Sequence, residues 1–279
     1  MHDIKVLSET QRMVKGRHGY FVYNLHDHYI GKSLELYGEY CEHEVSLFSK
    51  LIEPGSCVWD VGANIGALTV PLAHLVGESG RIVAFEPQPV IFNNLAANVS
   101  INGLNNVRCL PFALADRSQE LVVKVQNYHA PGNFGAVSLV NSKKSLPDAD
   151  AVRVEAKSLS DLNYLPKPAF IKIDVEGMEA AVISGLRKLI SVTPPLLYVE
   201  NDRVEYSAEL IELLWELGYS LYWHITPYYN DKNYFGIKYN LWPGISSFNM
   251  ICVHSTHSHI NINAEKISDS KKHPLQKKI

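Results

Sequence analysis

A strand, a glycine turn and a helix start stand together in one short stretch. Cys57-Val58-Trp59 leads into Asp60-Val61-Gly62-Ala63-Asn64-Ile65-Gly66, and a helical pattern follows from Leu68 to Val76. That layout puts a small-molecule pocket at the carboxyl end of a first parallel strand. The turn is not the dinucleotide signature G-x-G-x-x-G. With Gly62 as the first glycine, the second falls on Asn64 and the third on Ala67. The missing second glycine is the one that lets a pyrophosphate approach the backbone. An acidic residue, Asp60, stands at the strand end instead. A carboxylate there repels a diphosphate and suits a ligand that carries a cationic amine, such as S-adenosylmethionine.

Twenty residues beyond Gly66, Glu86 ends a second apolar run, Arg81-Ile82-Val83-Ala84-Phe85. A carboxylate at the tip of a second strand accepts hydrogen bonds from both ribose hydroxyls. Pro87 then stops the strand and opens the next helix. NAD and S-adenosylmethionine both contain an adenosine ribose, so Glu86 alone does not separate them. Asp60 with the absent glycine favours the sulfonium cofactor.

Alternation of strand and helix continues along the chain. Strands are expected at 57–60, 81–86, about 107–112, 170–174, 196–200, near 219–224 and 246–253. Helices are expected at 65–76, 88–101, about 176–190 and 205–217. This regularity predicts a mostly parallel sheet with helices on both faces. Before it, 1–52 forms a lead-in or lid segment, with a strand at His18–Tyr23 and a helix from Glu42 to Ile52. Between the third and fourth strands, Glu120–Val125 and Val152–Ala156 are expected to pair as an antiparallel hairpin. Its Gly/Asn/Ser/Pro-rich loop, 127–150, has the length of a functional or disordered segment. The aromatic stretch 225–245 reads as a pocket wall or as a loop packed on its own rings. The main domain spans 53–256, and the lysine-rich tail, 257–279, is expected to be disordered.

The 279 residues carry a net charge of −3, which gives no basic field for nucleic acid. Four scattered cysteines suggest neither a disulfide framework nor a zinc site. The absence of a signal core or a long apolar run predicts a soluble, cytoplasmic protein without a membrane span.

Three motifs together carry a family resemblance: Asp60 to Gly66, Ala84-Phe-Glu-Pro87 and Phe170-Ile-Lys-Ile-Asp-Val-Glu-Gly-Met-Glu179. The chain resembles the FkbM family of S-adenosylmethionine-dependent methyltransferases over roughly residues 17 to 254. The lead-in Tyr37-Gly-Glu-Tyr40 with Glu44 extends the match, as do Tyr222–Pro227 and Ser247–Val253. The resemblance implies a Rossmann-like class I methyltransferase fold with a seven-stranded sheet, its last strand antiparallel. It also implies methyl transfer, most often to hydroxyl oxygens of sugars, glycans or related polar natural products.

On that basis Asp60, Gly62, Ala63, Asn64, Gly66, Glu86, Pro87 and Ala113 are expected around the cofactor. Asp60 would hold its amino-acid end, Glu86 its ribose, and the Phe112–Leu114 region its adenine. Asn64 suits a left-handed position. Asp174, at the end of strand four, and Glu176, opening the next helix, are candidates to orient the acceptor or take its proton. The helix dipole favours carboxylates there whatever their role. His224, ending strand six, is the first candidate for the base, and Glu200 the next. Tyr37, Glu44, Tyr228 and Trp242 are expected on the substrate side. Lys172, buried in mid-strand, needs an ion-pair partner. No metal is assigned, because no tight ligand spacing demands one, although Asp174, Glu176, Glu200 and His224 leave a divalent site open. His254-Ser-Thr-His257-Ser-His259 reads as solvated. Two other functions stand beside this one: an NAD-binding oxidoreductase and a non-catalytic cofactor-binding module.

Overall fold

The computed structural model describes residues 3–135 and 151–276. Its centre is a seven-stranded sheet built from β4 (Cys57–Val61), β5 (Arg81–Phe85), β6 (Val107–Leu110), β10 (Phe170–Ile173), β11 (Leu196–Glu200), β12 (Tyr219–Pro227) and β13 (Ser246–His254). The order across the sheet is β6-β5-β4-β10-β11-β13-β12. Strands β6 to β11 run parallel, and β13 is antiparallel to both of its neighbours. This is the Rossmann-like class I methyltransferase arrangement. The chain reverses direction across the sheet beside β4, where β5 lies on one side and β10 on the other. Open α/β sheets bind ligands at such a switch point.

The strands are apolar on both faces because helices cover both. One face packs Trp59, Phe85, Ile171 and Ile173 against α5 (Glu179–Val192) and α6 (Val204–Glu216) through Ile183, Leu186, Ile211 and Leu214. The other packs Val58, Ala84, Phe170 and Tyr198 against α2 (Glu42–Leu51), α3 (Thr69–Val76) and α4 (Pro89–Ile101) through Phe48, Leu72 and Leu95. Each such side chain, fully buried, stabilises the fold by about 1.5–3 kcal/mol.

Ahead of this domain, β1 (Lys5–Val6), β2 (Gln11–Gly16) and β3 (Gly19–Asn24) form an antiparallel sheet, followed by α1 (Ile30–Tyr37). Strand β2 and helix α1 were not expected. Ile30, Leu34 and Tyr37 do recur at helical spacing and are buried. The expected hairpin is present as β8 (Gln119–Lys124) and β9 (Ala151–Lys157), with β7 (Ala113–Leu114) adding a third strand.

Two helices start later than expected. Helix α3 begins at Thr69 and α5 at Glu179. Residues 62–68 and 174–178 are thereby left as loops at the carboxyl ends of β4 and β10, where several of them face a cleft. The expectation of a disordered tail is corrected as far as Gln276. The backbone of Ile267 donates to Leu221 O at 2.8 Å, and that of Trp223 donates to Glu265 O at 2.9 Å. Ile267 and His273 are buried. The tail thus satisfies the open edge of β12, which would otherwise present unpaired backbone groups. Among the described residues, no helix is long and apolar enough to cross a membrane.

Candidate functional site

A cleft partly open to solvent lies at the carboxyl ends of β4, β5, β10 and β11. Gly62, Ala63 and Asn64 form its floor beside β4, with Glu86, Pro87 and Gln88 beside β5 and Ala113 and Leu114 beyond. Gly62 has φ +81°, and a Cβ there would collide with the Asp174 carbonyl oxygen, so only glycine fits. Asn64 is left-handed at φ +51°. Gly66 does not line the cleft. A Cβ on it would meet Leu95 at 2.8 Å, so its role is packing against α4.

The N–H groups of residues 62–66 are already taken. Gly62 and Ala63 both donate to Phe85 O, at 3.0 and 2.9 Å, and Gly66 donates to Ala63 O at 2.9 Å. Asn64 N donates to Glu86 Oε2 at 3.1 Å, and Ile65 N to Asn64 Oδ1 at 2.7 Å. A phosphate cradle needs such groups free and aimed at the ligand.

Glu86 is 4% exposed and receives one backbone N–H on each oxygen, from Asn64 and from Gln88 at 2.8 Å. Burial pushes its pKa up to about 7, against the pull of those two N–H groups. Each oxygen keeps lone-pair capacity toward the cleft. The described part of the loop after β8 closes over this end. Gln88 Nε2 donates to Phe134 O at 3.3 Å, and Asn133 and Gly135 line the cleft. The rest of that loop, 136–150, lies outside the described residues.

Asp60 departs from expectation. It is fully buried and does not line the cleft. Its Oδ2 accepts from Thr69 Oγ1 at 2.6 Å, and its Oδ1 lies 3.3 Å from Lys172 Nζ. Lys172 also sits 3.3 Å from Asp174 Oδ2 and donates to Gly62 O at 2.9 Å. Burial alone would lower its pKa, but Asp174, Asp60 and Glu44 together hold it above the usual lysine range. The expected ion pair of Lys172 is therefore present. In this structure Asp60 supports the loop through Lys172 and Thr69 and makes no surface for a ligand.

Beyond Lys172, Asp174, Glu176 and Glu200 offer carboxylate oxygens within 4.8 Å of one another. All three line the cleft. Glu176 does not open the helix as expected. It occupies a left-handed turn at φ +56°, followed by Gly177 at φ +98°. Glu179 stabilises that turn by accepting from Val175 N at 3.1 Å and Gly177 N at 3.0 Å. Arg203 donates to Glu176 at 2.6 Å. Burial and Asp174 push the Glu176 pKa up to about 7 against Arg203. Burial, then Asp174 and Glu176, raise Glu200 well above the usual carboxylate range. Its Oε2 is closed off from water and has no hydrogen-bond partner. Among the described residues these three are the ones grouped closely enough to hold a divalent cation, and His224 is not with them.

His224 lies on the α2 face of the sheet, outside the cleft. Its Nδ1 is 2.8 Å from the Tyr198 hydroxyl, and Tyr198 packs on Phe48. Burial, with help from His43, lowers its pKa to about 4. It does not line the cleft with the three carboxylates, which counts against it as the base. Glu44 and Tyr37 also lie behind the cleft. Glu44 accepts from Ser247 Oγ at 2.7 Å and Asn249 Nδ2 at 3.1 Å, tying α2 to β13. The Tyr37 hydroxyl donates to Tyr239 O at 3.0 Å and accepts from Leu241 N at 2.8 Å, holding the aromatic segment down. Trp242 stacks on Tyr29 at 6.2 Å and does not itself line the cleft. Tyr228 does line it, alongside Tyr29 and Tyr40. Tyr29 has no local signal in the sequence. It enters the site because β1–β3 and α1 fold back over the domain.

A family model described as the methyltransferase FkbM domain matches residues 60–221. The chain is 28% identical over 143 residues to the hexuronic acid methyltransferase AglP of Haloferax volcanii, covering 51% of this chain and 54% of that one. It is 30% identical over 157 residues to methyltransferase sdnD of Sordaria araneosa, covering 46% and 59%. The chain thus spans little more than half the length of these curated relatives. Among solved structures, the precorrin-6y C5,15-methyltransferase of Geobacter metallireducens GS-15 superposes with a TM-score of 0.50 at 15% identity, over 77% of this chain and 87% of that one. At that identity the likeness is one of fold. The family match covers more than half of the 279 residues and runs from Asp60 through the Phe170–Glu179 motif. The chain therefore belongs to the FkbM methyltransferase domain family.

Proposed function

We propose that this protein is an S-adenosylmethionine-dependent methyltransferase that O-methylates a hydroxyl on a sugar, glycan or related polar natural product. The observation that carries the cofactor is the pairing of Glu86 with the engaged N–H groups of residues 62–66. Those five offer a diphosphate nothing, which counts against NAD. Glu86 still offers two acceptors to a ribose diol. Gly62 keeps the floor low enough for a ligand to lie across it, and Ala113 and Leu114 give the adenine an apolar wall. The cofactor and this set of residues fit.

Bound S-adenosylmethionine supplies an electrophilic methyl group on a sulfonium. What remains for the chain is alignment, exclusion of water and removal of the acceptor's proton. Asp174 and Glu176, which line the cleft, would accept a hydrogen bond from the acceptor hydroxyl. Glu176, with a pKa raised to about 7, suits a base working near neutrality. Tyr228, Tyr29 and Tyr40 present ring faces and edges to a sugar's C–H surface. The hydroxyl-rich acceptor class is supported by the name of one relative, a hexuronic acid methyltransferase. A reducing, cytoplasmic setting goes with this reading and is supported by four cysteines that are all free.

Incubation with methyl-labelled S-adenosylmethionine and a panel of glycosides and hydroxylated metabolites tests the proposal. Label should move to an acceptor oxygen, and S-adenosylhomocysteine should compete. Binding of the cofactor without transfer to any acceptor would favour the non-catalytic module.

A further inference from the structure

The C-terminal tail reaches past the edge of β12. Beyond the pairing of Glu265 and Ile267 with that strand, Ser270 Oγ donates to Glu212 Oε1 on α6 at 2.8 Å. The tail then brings in His273, which is 5% exposed. Its ring meets Trp223 edge-on at 5.1 Å and lies 6.1 Å from Phe248. Its Nδ1 accepts from Leu275 N at 3.1 Å, which leaves the proton on Nε2. Nε2 donates to Asn201 O at 2.8 Å.

Asn201 directly follows Glu200 at the end of β11. It is buried and held from three directions. Its N–H donates to Phe248 O at 2.8 Å, its Nδ2 meets Met250 Sδ at 3.3 Å, and its carbonyl takes the His273 bond. Strand β10 gives no support here, because its pairing with β11 ends at Ile173 and Val199. Two residues on, Arg203 donates to Glu176 Oε2 at 2.6 Å. Its stem lies against the same turn, 3.2 Å from where a Cβ on Gly177 would stand. Segment 200–203 therefore links His273 to the Glu176–Gly177 turn. The bond at Asn201 fixes the backbone from which Glu200 and Arg203 both project. A misplacement of about 1 Å can cost about a hundredfold in a reaction that depends on alignment.

We infer that His273 is a positioning residue: it holds segment 200–203 so that Arg203 fixes Glu176 at the acceptor end of the cleft. The inference rests on the methyltransferase reading above, which gives Glu176 its task. His273 acts through Asn201 and Arg203 and does not line the cleft itself.

Two variants of similar shape test this in the full chain. His273→Gln keeps an N–H donor at the reach of Nε2, and His273→Met keeps the length and removes the donor. Hydrogen exchange at the Asn201 and Gly177 amides should run about threefold or more faster in the Met variant than in wild type. The Gln variant should return both to within about twofold of wild type. The Trp223 amide, which donates to Glu265 O, should keep its wild-type rate in both. Equal acceleration there would mean general loosening of the tail and would overturn the assignment to His273. The carboxyl NMR resonance of Glu176, assigned by its absence in Glu176→Gln, gives a second reading. Burial and Asp174 raise the Glu176 pKa, and Arg203 pulls it back. Its midpoint should therefore move to higher pH in the Met variant and stay in place in the Gln variant. If the Met variant does not fold, His273→Ala takes its place. An unmoved Gly177 amide, an unmoved Glu176 midpoint or no rescue by Gln overturns the inference. S-adenosylhomocysteine should bind the Met variant within about threefold of wild type, because its expected contacts lie beside β4 and β5. A larger loss would assign His273 to the cofactor end and overturn the inference as well. Failure of S-adenosylhomocysteine to bind wild type would sink the methyltransferase reading instead. The exchange comparison needs no ligand, so the two failures are distinct.

Discussion

Lys172 and Asp60 are direct partners on adjacent parallel strands, and the Lys172 ammonium lies 3.3 Å from Asp60 Oδ1. Both are buried, at 5% and 0% side-chain exposure. Removing one partner leaves the other charge uncompensated in the core. Lys172→Met should therefore cost about 3–5 kcal/mol in urea unfolding. The double variant Lys172→Met with Asp60→Asn should recover a large part of that loss. A single-variant cost under about 1 kcal/mol would show that the pair does not hold the floor of the cleft.

Glu86 gives the cofactor reading a pH signature. Its pKa in the folded protein is raised to about 7 by burial. Ribose hydroxyls donate to the ionised form, so binding should favour that form and release a proton. Affinity for S-adenosylhomocysteine should therefore rise as pH increases through about 7 and level off above it. Glu86→Gln should flatten the profile. A wild-type affinity that is constant from about pH 6 to 8 would count against a direct contact.

Glu44 should leave a mark on stability. Burial raises its folded pKa from 4.5 to about 7. A carboxyl group raised in this direction binds more protons when folded than when unfolded. Its contribution is fully present below about pH 4.5 and is lost as pH rises toward 7. The size is about 3 kcal/mol as an order of magnitude. Glu44→Gln should remove that slope between about pH 5 and 7, measured by denaturant titration at each pH. An unchanged slope would place the titration elsewhere.

Turnover should separate the carboxylates from the histidine. Glu176→Gln should bind S-adenosylhomocysteine normally and lose about a hundredfold or more in rate. His224→Ala should keep the wild-type rate and lose about 1 kcal/mol of stability with its Tyr198 bond. The reverse outcome would reinstate His224 as the base.

Much of this was legible in the chain, and the exceptions have physical causes. Strand and helix periodicity located the central sheet strands to within a few residues, because apolar runs between turn residues are local signals. Asp60, Glu86 and Asp174 were legible as strand-end carboxylates. The side chains those carboxylates face were not. Strand parity says that Asp60 and Lys172 each alternate with their neighbours, and only the register between β4 and β10 makes them partners. The position of His224 was hidden for the same reason. Its register with Asn249 on β13 and its bond to Tyr198 turn it to the α2 face. Tyr29 joins the site from about thirty residues upstream of β4, a placement no local pattern carries. The order of the tail is hidden in the sequence because it rests on backbone pairing to the edge of β12 and on one buried apolar side chain, Ile267.

The central claim is that this cleft holds S-adenosylmethionine through Glu86, and calorimetry with S-adenosylhomocysteine and NAD tests it most directly. At about pH 8, wild type should bind one equivalent of S-adenosylhomocysteine and no NAD. Glu86→Ala should weaken the first by roughly 1.5–3 kcal/mol, while its melting temperature shows that it still folds. No binding of S-adenosylhomocysteine to wild type, tighter binding of NAD, or a folded Glu86→Ala with unchanged affinity would contradict the account.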